Sequence, residues 1–392
     1  MEHERLPPAA RLPAVACMNS SREGKMSYAN NSTLQRAIAA ETKKERQDTA
    51  AALYRARGCP ASMAIADLGC ATGPNALLLV SDAVEAVLAA AAKKGTDDDD
   101  DGEVLPELHV FLNDLPNNDF NAVFRLLPSS PLPGSGCLVS AWPGSFYGRI
   151  FPDASLDYVV SCSSLHYLSK APTMKTVSSG EHLNRGRVYL SPSAGNPTAV
   201  LDAYRAQFET DFAAFLGCRA AEVRPRGVLL LSFFARRTAC PSMHDCYLWD
   251  ALADALMDMA AVGLIDEEQV HAFNLPYYTP CPDDLRDMVS MEGSFTVTIM
   301  RLFGCSFLGV SHHPTKDEDD EDLPRWLAVE TASYVRAALE PTLQMQFGRA
   351  AMDELFCRYP LLLEAYYRNN KATKNKEDIT NVFVVLEKKQ HG

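Results

Sequence analysis

"AIADLGCATGPNALLL", residues 64–79, joins three patterns that each fix a piece of local structure. Ala64 to Leu68 is a short apolar run carrying Asp67 near its end, and such runs fit a strand covered on both faces of a sheet. The chain then has to turn. Gly69 and Gly73 permit backbone torsions and close approaches that a Cβ blocks, and from Asn75 onward "NALLLVSDAVEAVLAAAAKK" has the composition and length of a helix. Strand, glycine turn and helix together predict the crevice in which α/β proteins hold nucleotide-like ligands.

The spacing narrows the ligand. A dinucleotide-cradling turn needs G-x-G-x-x-G, whereas Asp67, Gly69 and Gly73 give D-x-G-x-x-x-G. A carboxylate ahead of the turn repels a phosphate and attracts an ammonium, which suits the methionine end of S-adenosylmethionine better than a nicotinamide dinucleotide. A glycine-rich turn without any ligand is the plain structural alternative.

Composition sets outer bounds. A chain of 392 residues is long enough for a large core or for two to three smaller domains. The formal charge of −13 is concentrated in "DDDDD" (Asp97 to Asp101) and "DEDDED" (Asp317 to Asp322), so the rest of the chain is close to neutral. Both runs repel themselves and offer no apolar surface, and they are expected to be solvated loops. No basic stripe points to nucleic acid. Eleven cysteines are scattered without a C-x-x-C pair, which fits reduced thiols and a cytoplasmic protein. The first twenty residues lack the apolar core of a signal peptide, and no run of about eighteen apolar residues predicts a membrane span or membrane partner.

Further strands follow at "ELHVFLNDLP", which again ends in an acid, Asp114, then at "GCLVSAWPG", "SLDYVVSC" and "GVLLLSFFARR". A carboxylate closing the second strand is placed to accept both hydroxyls of a ribose. Strands alternating with helices predict a doubly wound α/β sheet with ligands at its carboxyl edge. The second half is mostly helical and aromatic, with strand-like "SFTVTIMRLF" and "NVFVVLEKK", so a helical cap interleaved with the last strands is expected. No internal repeat or long linker divides the chain. The expectation is one domain: residues 1–60 covering the ligands, 61–240 the cofactor-binding core, 241–375 the cap, and 376–392 the last strand and tail.

Seven blocks carry a resemblance: "MSYANNSTLQ" (26–35), "ADLGCATGPN" (66–75), "FLNDLPNNDFN" (111–121), "PGSFYGRIFP" (143–152), "SSLHYLSKAP" (163–172), "GLIDEEQVHAFNLPYYTP" (263–280) and "EGSF" (292–295). In this order, across nearly the whole chain, they resemble the plant SABATH methyltransferases, which methylate salicylate- and benzoate-like carboxylates or xanthine nitrogens. The resemblance implies a Rossmann-like class I methyltransferase fold. It also implies S-adenosylmethionine bound by Tyr28, Ser32, Asp67, Asn75, Asp114, Leu115, Ser145 and Phe146, with Ser145 and Phe146 on the adenine.

On the substrate side the resemblance implies Gln35 and Tyr167 as the pair that orients a carboxylate, within a pocket shaped by Tyr28, His166, Trp249 and Tyr278. Tyr167 stands where the family carries tryptophan, exchanging an indole N–H for a phenol O–H in a wider pocket. Some relatives hold a metal ion at positions matching Asn184, His271, Phe273 and Asn274. Here His271 replaces the expected aspartate, so Mg²⁺ is expected to be structural at most. The implied partner is a small carboxylic acid, and a homodimer is compatible with the family. An N-methyltransferase, a nicotinamide-dependent oxidoreductase and an inactive binding protein are the rival functions.

Overall fold

The central strand β1 (Ser62–Leu68) is buried along all but its first residue, as its apolar run requires. In the computed structural model, which describes residues 32–95, 105–132, 136–175, 180–195, 197–306, 323–370 and 379–390, β1 sits in a seven-stranded sheet. The other strands are β2 (Glu107–Asp114), β3 (Leu138–Pro143), β4 (Leu156–Cys162), β5 (Val223–Phe234), β6 (Phe295–Cys305) and β7 (Ile379–Lys388). Their order is β3-β2-β1-β4-β5-β7-β6. The first five pair in parallel, while β7 runs antiparallel to both β5 and β6. Tyr28 and both acidic runs lie outside the described residues.

The order reverses at β1, whose neighbours are β2 on one side and β4 on the other. Loops leaving their carboxyl ends diverge there and open a crevice. The turn after β1 depends on Gly69, at φ +84°, where a Cβ would stand 2.2 Å from Ser164 Oγ. The helix expected from Asn75 begins as a 3-10 turn, Pro74–Leu77, before α3 (Leu78–Gly95). Although α3 is apolar and long enough to pass for a membrane span, it packs on α2 (Lys43–Ala56) and β1.

Before the sheet come α1 (Thr33–Glu41) and α2; α4 (Phe120–Leu126) follows β2, and α5 (Pro197–Glu222) precedes β5. Beyond β5 lie α6 (Met243–Ala261), α7 (Glu267–Ala272), α8 (Pro282–Glu292), α9 (Leu323–Phe347) and α10 (Met352–Asn369). The long helical stretch that ends the cap in sequence is broken at Gly348, whose φ of +82° ends α9 and lets α10 pack back against it. The region between 241 and 375 is mostly helical and also supplies β6, an outer strand of the sheet, where "SFTVTIMRLF" reads as a strand.

Candidate functional site

One cavity lies over the carboxyl ends of β1 to β4. Four successive loops form its floor: Gly69, Ala71 and Thr72 after β1; Asp114, Leu115 and Asn118 after β2; Gly144 to Tyr147 after β3; and Ser163 to Ser169 after β4. Ala71 (φ 54°) and Ser163 (φ 58°) adopt left-handed backbone there without being glycine, a strain of roughly 1–3 kcal/mol each that concentrates at binding sites. Asn118 Nδ2 donates to the Ala71 carbonyl at 2.9 Å, tying two of these loops together.

Asp114 is built as an acceptor. Its Oδ2 takes the Ala71 N–H and its Oδ1 the Leu115 N–H, both at 2.7 Å, and each oxygen keeps a further lone pair. Burial pushes its carboxyl up, against the pull of those two bonds. Asp67 is more extreme: 1% exposed, with no hydrogen-bond partner at Oδ1. Burial, reinforced by the Asp114 charge and partly offset by Arg46, pushes its carboxyl up to about 8. Asp67 lies below the cavity lining rather than on it. A cation arriving above it would be strongly favoured, and the two acceptors fit a ligand with an ammonium at one end and a diol next to it.

Ser32 and Asn75 come together, with Asn75 Nδ2 donating to the Ser32 carbonyl and hydroxyl at 2.9 Å each. Arg36 Nε donates to Asn75 Oδ1 at 3.3 Å. This pair anchors the start of α1 over the β1 turn, and neither residue lines the cavity.

The other half of the cavity is apolar. Tyr167 and Leu168 face Leu275, Pro276 and Tyr277, under Ala338, Leu339 and Thr342 of α9. An antiparallel bridge joins Tyr167 to Tyr277, and the Leu168 N–H donates to the Pro276 carbonyl at 2.9 Å. Extended neighbours point to opposite faces, so Tyr277 facing the cavity turns Tyr278 away from it. That corrects the assignment of Tyr278 to the pocket wall: its hydroxyl accepts from Arg236 Nη2 at 2.8 Å and donates to Asp284 at 3.3 Å, in a fully buried network.

His166 and Trp249 stand behind the wall rather than on it. Trp249 packs edge-on against Tyr277 at 4.9 Å. His166 stacks on Phe234 at 4.4 Å, and its Nδ1 accepts the Phe234 N–H at 3.3 Å, which leaves the hydrogen on Nε2. Complete burial lowers its pKa to about 3, so the ring is neutral. Gln35 is buried on α1, and its Nε2 donates to the Tyr334 hydroxyl at 3.1 Å. Tyr334 lies one turn before Ala338 on α9 and close to Tyr277, placing the amide just behind the tyrosine wall.

Sequence reasoning missed Tyr277, Tyr334 and Tyr147, whose hydroxyl donates to the Tyr167 carbonyl at 2.6 Å and fixes that backbone. The doubled tyrosine at 277–278 was a signal that one of two adjacent rings had to face inward.

The residues matched to a metal do assemble, but not as a cation site. Asn184 Nδ2 donates to Asn274 Oδ1 at 3.0 Å, occupying one of that oxygen's two lone pairs. His271 Nδ1 accepts the Gly186 N–H at 3.1 Å, and Nε2 lies 3.2 Å from the exposed Glu267. Phe273 packs its ring against Phe347. Asn184 Oδ1 is the one buried oxygen left without a partner in this cluster, and no group of three His, Cys, Asp or Glu suited to a metal occurs among the described residues. The donor set does not fit Mg²⁺, which prefers six oxygens.

Comparison with known proteins agrees with the geometry. A family profile described as SAM dependent carboxyl methyltransferase matches residues 13–389. Jasmonate O-methyltransferase of Arabidopsis thaliana is 37% identical over 88% of this chain and 92% of its own length. Salicylate carboxymethyltransferase of Clarkia breweri is 37% identical over 93% and 96%. Among solved structures, loganic acid methyltransferase with SAH superposes with a TM-score of 0.78 at 29% identity, covering 95% of this chain and 99% of that one.

Proposed function

This chain belongs to the SAM-dependent carboxyl methyltransferase family, and from that premise we propose that it makes the methyl ester of a small, ring-bearing carboxylic acid of the salicylate or benzoate type, with jasmonate- or indole-acetate-like acids as further candidates. The observation that carries this reading is the division of one cavity into two chemistries. Asp114, with Asp67 beneath it, gives acceptors for a cationic, hydroxylated cofactor, and Tyr167, Tyr277, Pro276 and Leu339 give flat apolar walls for a ring.

S-adenosylmethionine, when bound, supplies a methyl group on a positive sulfur. Asp67 would hold its ammonium, Asp114 and Leu115 its ribose, and Ser145 with Phe146 its adenine. Ser32 and Asn75 support the turn from outside. An acid already ionised needs no general base, and neutral His166 provides none. The protein's task is to align the carboxylate and exclude water, since opposite charges cancel along the reaction and do so more easily in an apolar chamber.

Burial pushes the Tyr167 phenol up, so it stays protonated and donates its O–H to a carboxylate oxygen. Gln35 Nε2 carries two hydrogens, of which Tyr334 takes one. Gln35 is buried and does not line the cavity, so the second would reach a carboxylate only on a movement that brings the amide past the tyrosine wall.

The test is transfer of label from S-adenosylmethionine to a panel of plant acids and xanthines, with products identified. Methyl esters as the main products support the proposal. Methylation of ring nitrogen alone would replace it with the xanthine-type activity.

A further inference from the structure

The loop after β3 presents Ser145 and Phe146 to the cavity, yet little of its own backbone holds it. Its Gly144 N–H donates to the Asp114 carbonyl at the end of β2 at 2.9 Å, and within the loop the Gly148 N–H donates to the Ser145 carbonyl at 3.0 Å. Asn113 Nδ2 donates to the Gly144 carbonyl at 3.0 Å and Trp142 Nε1 to the Ile150 carbonyl. Four further groups, on either side of Tyr147, are taken by two side chains from the last turn of α5. Arg219 donates from Nη1 to the Phe146 carbonyl at 2.9 Å and from Nη2 to the Gly148 carbonyl at 3.0 Å. Glu222 Oε1 accepts the N–H groups of Ile150 at 2.7 Å and Phe151 at 3.0 Å. The two side chains pair with each other at 2.7 Å, and both are 0% exposed.

The same helix holds the Phe146 ring. Phe215, four residues before Arg219, meets it edge to face at 6.0 Å, and the Arg219 guanidinium lies 5.3 Å over the Phe215 ring. Carbonyl and ring of Phe146 are thus fixed from one side by residues one turn apart. A buried ion pair is a poor device for stability, because desolvating two charges offsets most of their attraction. What it supplies is four directed backbone bonds along a loop that lacks a sheet ladder. The planar fork of arginine reaches two carbonyls at fixed separation, and lysine, a point charge, cannot reproduce it.

We propose that Arg219 and Glu222 are positioning residues for the cofactor, setting Ser145 and Phe146 at the height and tilt that receive the adenine. The proposal rests on the adenine assignment made above. Neither side chain reaches the cavity, so both act through the loop.

Arg219→Lys, Glu222→Gln, Phe146→Ala and the double variant Arg219→Lys/Phe146→Ala separate the possibilities, with circular dichroism confirming the fold. Arg219→Lys is expected to raise the cofactor KM and the S-adenosylhomocysteine Kd roughly tenfold, the size of one lost charged hydrogen bond. Its kcat at saturating cofactor and its KM for the acid should stay within about twofold. Glu222→Gln, which keeps the shape and loses the charge, should shift the same constants less. The double variant should lose less than the sum of the two single losses, because the ring that the arginine positions is already gone and only Ser145 remains to be held. Additive losses, or equal damage to kcat and the acid KM, would overturn the proposal. A normal cofactor KM in Phe146→Ala overturns the adenine assignment and the proposal with it. A raised KM there with normal constants in Arg219→Lys overturns the proposal alone.

Discussion

Tyr167 and Gln35 show how far single residues were legible. Their identities and the tryptophan-to-tyrosine departure are plain in the sequence, because motif position alone specifies them. Their surroundings are not: Tyr334, which holds Gln35, is 299 positions away in the chain, and only folding brings the two within 3.1 Å. The geometry ranks three variants. Tyr167→Phe deletes a hydroxyl and keeps the ring, so kcat/KM for a carboxylate should fall roughly tenfold to a hundredfold through the lost hydrogen bond. Gln35→Ala should fall comparably. Tyr334→Phe leaves the amide present but unanchored, and its loss should be smaller than either. Ester formation rates on one acid for all three decide it; a Tyr167→Phe enzyme at full rate would remove the phenol from the clamp.

At the scale of elements, the strands were readable because buried parallel strands are near-continuous apolar runs, and β1, β2, β4 and β5 appear where such runs occur. Which ring of Tyr277 and Tyr278 faces the ligand was not, since the answer depends on a bridge to Tyr167 that no local period encodes. Nor was the break at Gly348 that separates α9 from α10. The consequence falls on α9, which roofs the acid chamber with Ala338, Leu339 and Thr342. Pro341 lies within that helix, beside the roof residues, and withholds the N–H that would bond the Ala337 carbonyl. Substrate size should therefore respond to this helix and cofactor affinity should not. Leu339→Ala is expected to improve kcat/KM for acids with bulkier rings relative to benzoate-sized ones, with Leu339→Phe doing the reverse and the cofactor KM unchanged in both. Identical acid preferences in the two variants would place the specificity wall elsewhere.

Over the whole molecule, the reversal of strand order at β1 puts the cofactor half of the cavity at the centre of the sheet, with Asp67 sealed beneath it. The cost of that placement is electrostatic. Folding raises the Asp67 carboxyl from its ordinary range to about 8, so between pH 4 and pH 8 the empty folded protein holds a proton that the unfolded chain has released. A group raised on folding contributes stability that is present below its unfolded pKa and is lost as pH rises through its folded one, so Asp67 makes the empty protein less stable across this window. A bound ammonium reverses the preference by favouring the carboxylate. Binding of S-adenosylhomocysteine should thus release up to one proton near neutral pH, and its affinity should rise with pH by as much as tenfold per unit until the curve flattens near pH 8. The same linkage makes the rise in Tm produced by a fixed concentration of S-adenosylhomocysteine larger at pH 8 than at pH 6. Calorimetry in buffers of different ionisation enthalpy counts the proton, and thermal melts at the two pH values read the stability. Asp67→Asn supplies the control, because an amide cannot ionise and that part of the pH dependence should vanish along with the released proton. Equal affinities at pH 6 and pH 8 in the unaltered protein, or an unchanged pH profile in Asp67→Asn, would show that the ammonium is held by some other group.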